Sequence, residues 1–277
     1  MARRFHSFVL DRPLVMGIVN ATPDSFSDGG DNFGTEAAIA AGLRMLDEGA
    51  DILDIGGEST RPGADPVSPA EERARILPAI DALVRAGAVI SVDTRHADTM
   101  KAALDAGATI VNDVTALAAP GAVELVAGRG CGAVLMHMLG TPRTMQTDPR
   151  YDDAPREVAA FLARRLAACE TAGIARADLC VDPGIGFGKS VAHNARLIAR
   201  LDTLTALGVA VLVGASRKSF IGKLSKDEPP KERLPGSIAA ALAAVARGAD
   251  ILRVHDVAAT VQALKVWRAI ETERNKA

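Results

Sequence analysis

Short apolar runs recur along this chain, and each one gives way to a polar residue and then a loop. Eight are visible: Val15–Val19, Ile52–Gly56, Ala88–Val92, Thr109–Val111, Ala133–Met136, Leu179–Val181, Val209–Val213 and Ile251–His255. They are short, partly β-branched and bounded by glycine, proline or polar residues, which is the pattern of buried strands. Between them the apolar period lengthens to three and four. Ile39, Leu43 and Leu46 share one helical face, as do Ile76, Ile80 and Leu83; Ala97, Met100 and Leu104; and Val158, Leu162, Leu166 and Cys169. Leu197, Leu201 and Leu204 mark a further helix, Gly121–Gly128 and the alanine-rich Ile238–Ala246 two more, and Val261, Leu264 and Trp267 or Arg268 the last. Thr35-Glu36-Ala37 reads as the first helix start, with Gly49 as the stop. Ser68-Pro69-Ala70-Glu71 reads as a capping box with proline at the first helical position, and its helix stops at Gly87.

Near-continuous apolar strands alternating with helices imply a parallel sheet covered on both faces. Eight such units, recurring about every 33 residues, predict an α/β chain folded as a single (β/α)8 TIM barrel over residues 1–277, with its site at the C-terminal ends of the strands. A doubly wound open sheet is the competing architecture. Long stretches at Thr22–Gly34, Glu58–Val67, Leu139–Ala154 and Ala215–Pro235 are expected to be lids or binding loops.

The residues at the strand ends carry the candidate chemistry. In order they are Asn20; Asp54, with Thr60 and Arg61 beyond; Asp93; Asn112; His137; Asp182; Gly214, followed by Lys218; and Arg253 with His255. One aspartate after a strand is an ordinary helix cap. Seven or eight polar residues gathered on one rim are a site. Asp93, Asn112 and Asp182 suit the polar edge of a flat nitrogen heterocycle. Asn20, Arg253 and His255, with Thr60, suit a phosphate or a metal-bound phosphate, because Arg and His donate to oxyanions and an amide oxygen suits Mg²⁺.

Composition narrows the field. The chain has 277 residues, 48% hydrophobic and 24% charged, with a net charge of −2 and no long basic run, so a nucleic-acid partner is not expected. No apolar run reaches the roughly 18 residues of a membrane span. The three cysteines, Cys131, Cys169 and Cys180, form no CxxC pair and read as apolar fillers in a reducing cytoplasm. The opening MARRFHSFVLDRP lacks the apolar core of a secretory signal. Pro183–Ser190 imitates a phosphate-binding loop, but proline stands where its first glycine belongs, so Lys189 is expected to be an ordinary loop lysine. His137 reads as a satisfied strand-end histidine, and His6, His96 and His193 as residues of loops or helix starts. Asp54 and Glu58 are expected to orient the barrel floor and the second loop. Arg217 could reach the site or form a structural salt bridge.

The motifs MGIVNATPDSFSDGG (Met16–Gly30), DIGGESTRPGA (Asp54–Ala64), SVDT (Ser91–Thr94), VND (Val111–Asp113), LMHM (Leu135–Met138), DPGIGFGK (Asp182–Lys189), GASRKSFIG (Gly214–Gly222) and GSIAAALAAVARGADILRVHDV (Gly236–Val257) stand in one order. In this the chain closely resembles dihydropteroate synthase, the folate-pathway family that sulfonamide drugs target, from Met16 to about Val257. The resemblance implies condensation of 6-hydroxymethyl-7,8-dihydropterin diphosphate with 4-aminobenzoate, with release of diphosphate. It implies that Asp93, Asn112, Asp182 and Lys218 hold the pterin, that Met136 and Gly214 line its pocket, and that Asn20 binds Mg²⁺. Arg253 and His255 correspond to the diphosphate pair, and Phe187 and Ser219 to contacts with 4-aminobenzoate. Thr60, Arg61 and Pro62 lie in the second mobile loop of that family, and Asp24 to Asp28 in the first. Asp93, Lys218 and Arg61 are the expected catalytic residues, and a homodimer is implied by the resemblance alone. Two alternatives remain. A pterin-dependent methyltransferase of the same superfamily would keep the ring contacts but need neither the Thr60–Pro62 loop nor the Lys218-Ser219 contact. A non-catalytic paralogue should have lost strand-end residues.

Overall fold

In a computed structural model, residues 3–21, 31–59 and 66–274 are described. Eight strands form a closed, all-parallel barrel in chain order. They are β3 (Leu14–Asn20), β4 (Ile52–Gly56), β5 (Ile90–Asp93), β6 (Ile110–Asp113), β7 (Gly132–Met136), β8 (Leu179–Asp182), β9 (Ala210–Val213) and β10 (Ile251–Val254), and β10 pairs with both β9 and β3. Helices follow each strand on the outside: α1 (Asp31–Asp47), α2 (Pro69–Arg85), α3 (Ala97–Asp105), α4 (Ala122–Arg129), α5 (Ala154–Thr171), α6 (Val191–Ala199), α7 (Asp202–Thr205), α8 (Ser219–Leu224), α9 (Leu234–Val245) and α10 (Val257–Arg274). This is the (β/α)8 barrel that the spacing predicts.

Strand alternation divides the core into two. Val15, Leu53, Val92, Val111, Leu135, Val181, Val211 and Leu252 belong to the layer between sheet and helices. Leu14, Met16, Ile52, Ile110, Val134, Cys180, Leu212 and Ile251 form a separate cluster on the opposite strand faces, filling the barrel interior. An N-terminal hairpin, β1 (Arg4–Phe5) with β2 (Phe8–Val9), delivers Phe5 to that interior cluster. His6 pairs with Asp178 at 2.9 Å and Arg3 with Asp250 at 2.8 Å, tying the hairpin to the end of the barrel where the strands begin.

Local signals account for most helix ends. Ser68 accepts a bond from the Glu71 N–H at 3.2 Å, but the Glu71 side chain turns to Arg75, so only half of the expected capping box forms. Helix α1 starts at Asp31, before the expected Thr35. The helix expected through Leu197, Leu201 and Leu204 is two helices broken at Arg200; all three leucines are buried nonetheless. Among the described residues, no helix is long and apolar enough to cross a membrane.

Candidate active site

Period-two alternation builds the rim. Two positions beyond the interior residues Ile52, Ile110, Val134, Cys180, Leu212 and Ile251, on the same strand faces, stand Asp54, Asn112, Met136, Asp182, Gly214 and Arg253. Register brings the ends level: Asn20 pairs with Gly56, Gly56 with Asp93, Asp93 with Asn112, and Met136 with Asp182. Five of these six strands thus carry an apolar plug below and a polar residue or glycine above; β7 carries Met136 instead.

Arg253 is the hub. Its Nε donates to Asp54 Oδ2 at 2.6 Å and its Nη2 to Asp93 Oδ2 at 2.7 Å. Asn112 Nδ2 donates to the same Asp54 oxygen at 3.0 Å, so four strands share one network. Asp54 is 0% exposed and the Arg253 side chain 19%. Burial pushes Asp93 up to about 7; the Arg253 charge opposes the rise and Asp54 adds to it. Burial also works against the Arg253 charge, but Asp54 and Asp93 more than offset it and hold the guanidinium above its ordinary range. Gly214 lies between the two halves of the rim: a Cβ there would stand 3.7 Å from Arg253 Cβ and 4.0 Å from Asp182 Oδ2.

Asp182 Oδ1 accepts the Gly184 N–H at 2.7 Å. Burial raises its pKa, against the pull of that N–H, Lys218 and Arg253. Lys218 Nζ lies 4.0 Å above the Phe187 ring centroid, a cation–π contact between the loops after β9 and β8. Ser219 is exposed at the first position of α8. His255 is held by Ser216: its backbone N–H donates to Ser216 Oγ at 3.2 Å, and the hydroxyl meets Nδ1 at 3.0 Å. The hydroxyl can donate to Nδ1, and in that tautomer Nε2 carries the N–H. Burial, then the Arg253 and Arg217 charges, lower His255 to about 3, so the ring is neutral.

The network thus joins Asp93, Asn112 and Arg253, with Gly214 set between Arg253 and Asp182. Lys218 is joined to Phe187, and Met136 is level with Asp182. Asn20 stands one register position from Gly56, and its side chain has no hydrogen-bond partner among the described residues. Thr60, Arg61 and Pro62, and the Asp24–Asp28 stretch, lie outside the described residues.

Several neighbours do what sequence reasoning expected of them, and others do not. Asp54 orients the floor through Arg253 and Asn112. Glu58 accepts from Arg95 Nε and Nη2, both at 2.9 Å, and from the Val67 N–H at 3.1 Å. Burial would raise Glu58, but Arg95 and Val67 prevail and hold it low. Arg217 is a structural partner of Asp256, with its Nε 2.9 Å from Oδ2. Lys189 is a loop lysine, as expected, but not an ordinary one: it is 3% exposed and bonded to His137 and Phe187. Its burial carried no sequence signal, because lysines are almost always exposed. Ser216 was likewise missed. Asp54 could have been placed inside from its spacing to Ile52.

The chain's likeness to known proteins agrees with this geometry. A family model described as pterin binding enzyme matches residues 16–255. A dihydropteroate synthase from Neisseria meningitidis serogroup B is 53% identical over 267 residues, covering 94% of each chain. The solved Xanthomonas albilineans dihydropteroate synthase with 4-aminobenzoic acid superposes with a TM-score of 0.93 at 52% identity, over 98% of this chain and 99% of that one. The same enzyme in complex with 7,8-dihydropteroate gives 0.88 at 52% identity, over 95% of each.

Proposed function

We infer the function from one premise: the chain belongs to the pterin-binding enzyme family. It catalyses the dihydropteroate synthase reaction, joining 6-hydroxymethyl-7,8-dihydropterin diphosphate to 4-aminobenzoate and releasing diphosphate, a step of folate synthesis. The observation that carries the residue assignment is the shared rim network of Asp93, Asn112, Arg253 and Asp54 beside Asp182.

The assigned roles follow from chemistry. Asp182 and Asn112 take the hydrogen-bonding edge of the ring, Met136 and Gly214 leave room for its flat face, and Lys218 donates to a ring acceptor. A site of buried polar partners rejects an analogue that cannot pair with it. The amine of 4-aminobenzoate is a poor nucleophile because its lone pair is delocalised into the ring. The methylene C–O bond therefore breaks first, its electron pair leaving with diphosphate and the positive charge spreading into the pterin. Asp93, held beside Arg253, stabilises that charge. Arg253 Nη1, which has no protein partner among the described residues, and His255 Nε2–H receive the departing diphosphate. Nitrogen then bonds to the methylene carbon, and its proton passes to solvent water. Catalysis is electrostatic and positional, with no covalent enzyme intermediate.

Phe187 and Ser219 are assigned to 4-aminobenzoate, and Thr60, Arg61 and Pro62 to closing on the seated ring, with Arg61 counted as catalytic. The Asn20 amide, which has no partner among the described residues and stands beside a glycine position, fits a Mg²⁺ ion that takes few protein ligands. Bound there, Mg²⁺ would offset negative charge on the diphosphate. A homodimer and a cytoplasmic setting complete the reading; both rest on family resemblance, and sedimentation analysis tests the first. The central test is diphosphate release from the pterin diphosphate. It should require both 4-aminobenzoate and Mg²⁺. Methyl transfer in its place, or pterin binding without turnover, would overturn the assignment.

A further inference from the structure

Lys189 is the buried cation that the reaction above does not use. It lies in the loop between β8 and α6; burial lowers its pKa to about 7 against the pull of Asp182, and its protonated form has three N–H donors. Each finds one acceptor: His137 Nδ1 at 3.0 Å, the His137 carbonyl at 3.2 Å and the Phe187 carbonyl at 2.9 Å. Burying a charge is costly unless its hydrogen bonds are all made, and here they are. Among the described residues no carboxylate forms an ion pair with Nζ, although Asp182 favours its charge from a greater distance. These bonds make a three-point tie between the end of β7 and the loop that carries Phe187.

The same loop closes on His137 at a second point. Gly184 has φ +67°, and a Cβ there would collide with the His137 carbonyl oxygen. Only glycine permits that approach. The neutral His137 ring, lowered to about 3 by burial and then by the Lys189 charge, stays available as an acceptor. Beyond the tie, the Phe187 ring meets Lys218.

We propose that Lys189 is a positioning residue for the 4-aminobenzoate subsite: its buried amino group ties the Phe187 carbonyl to the end of β7 and so holds the Phe187 ring beneath Lys218. The proposal rests on the reading that Phe187 contacts 4-aminobenzoate. It predicts that losing Lys189 affects the second substrate and leaves the ring site alone.

The test is a kinetic double-mutant cycle on the full chain with Lys189→Met, Phe187→Leu and both together. Lys189→Met should raise KM for 4-aminobenzoate about tenfold through misplacement of the ring. Pterin affinity, measured by calorimetry, and kcat should stay within about twofold of the parent. The double variant should be no worse than Phe187→Leu alone, because Lys189 acts through that ring. Multiplying effects in the double variant, or an equal loss of pterin affinity, would overturn the proposal while leaving the Phe187 assignment standing. An unchanged KM in Phe187→Leu would instead refute the placement of 4-aminobenzoate, and this inference with it. If Lys189→Met yields no folded protein, His137→Phe removes one of the three acceptors and keeps both carbonyls. It should raise KM about threefold, and an unchanged KM would overturn the proposal.

Discussion

Replacing Arg253 with methionine removes the cation that bridges the buried Asp54 and the partly buried Asp93. Asp54 and Asp93, on the adjacent strands β4 and β5, then lose their shared cation, and among the described residues Asn112 remains as the side-chain donor to Asp54. Removing one partner of a buried ion pair leaves an uncompensated charge and costs about 3 kcal/mol or more. At about 2–4 °C per kcal/mol for a chain of this size, the melting temperature should fall by roughly 6–12 °C. The loss should depend on pH, and its sign follows from Asp93. Its folded pKa is raised to about 7 by burial, even with Arg253 opposing the rise. The folded state therefore keeps a proton that the unfolded chain releases near pH 4, and stability falls as pH rises from there to about 7. Without Arg253 the folded pKa climbs further, so that window extends upward. The variant should accordingly lose more relative to the parent at pH 8 than at pH 6, where its Asp93 can stay protonated. Thermal melts of both proteins at pH 6, 7 and 8 measure this directly. Adding Asp54→Asn should recover part of the loss. A deficit of equal size at pH 6 and pH 8, or one below about 2 °C at pH 8, would refute the view that the guanidinium balances these carboxylates.

Three further outcomes are expected. Asp182→Ala should weaken pterin binding about 10- to 100-fold, the value of a charge-assisted hydrogen bond, with the fold retained; calorimetry and circular dichroism check both, and an unchanged affinity would remove Asp182 from the ring edge. Gly184→Ala should give little folded protein or a melt lowered by several degrees, since its Cβ would strike the His137 carbonyl; a parent-like melt would mean that the loop can retreat from β7. Arg61→Ala should lower turnover more than pterin affinity, and equal losses in steady-state and binding assays would contradict a role after the ring is seated.

Much of the barrel was legible because strand and helix periods are local. Ile52-Leu53-Asp54-Ile55-Gly56 shows alternation, strand end and inward carboxylate in five residues. The helix through Leu197 and Leu204 misled because apolar spacing survives a break: the leucines are buried whether or not the backbone turns at Arg200. The hairpin that delivers Phe5 left no signal, since two-residue strands have no period to read. The strand-end residues could be named as a set, but their partners could not. Arg253 meets Asp54 across 199 positions of sequence, and only barrel closure creates that contact. Lys189 was placed in its loop, but its burial was missed for the opposite reason: its environment, not its chemistry, is unusual.

The most direct measurement is a crystal structure of the chain soaked with 6-hydroxymethyl-7,8-dihydropterin diphosphate. The ring should lie against Asp93, Asn112 and Asp182, with the diphosphate at Arg253 and His255 on the same rim. Density for the ring in any cavity away from those three side chains would contradict the account.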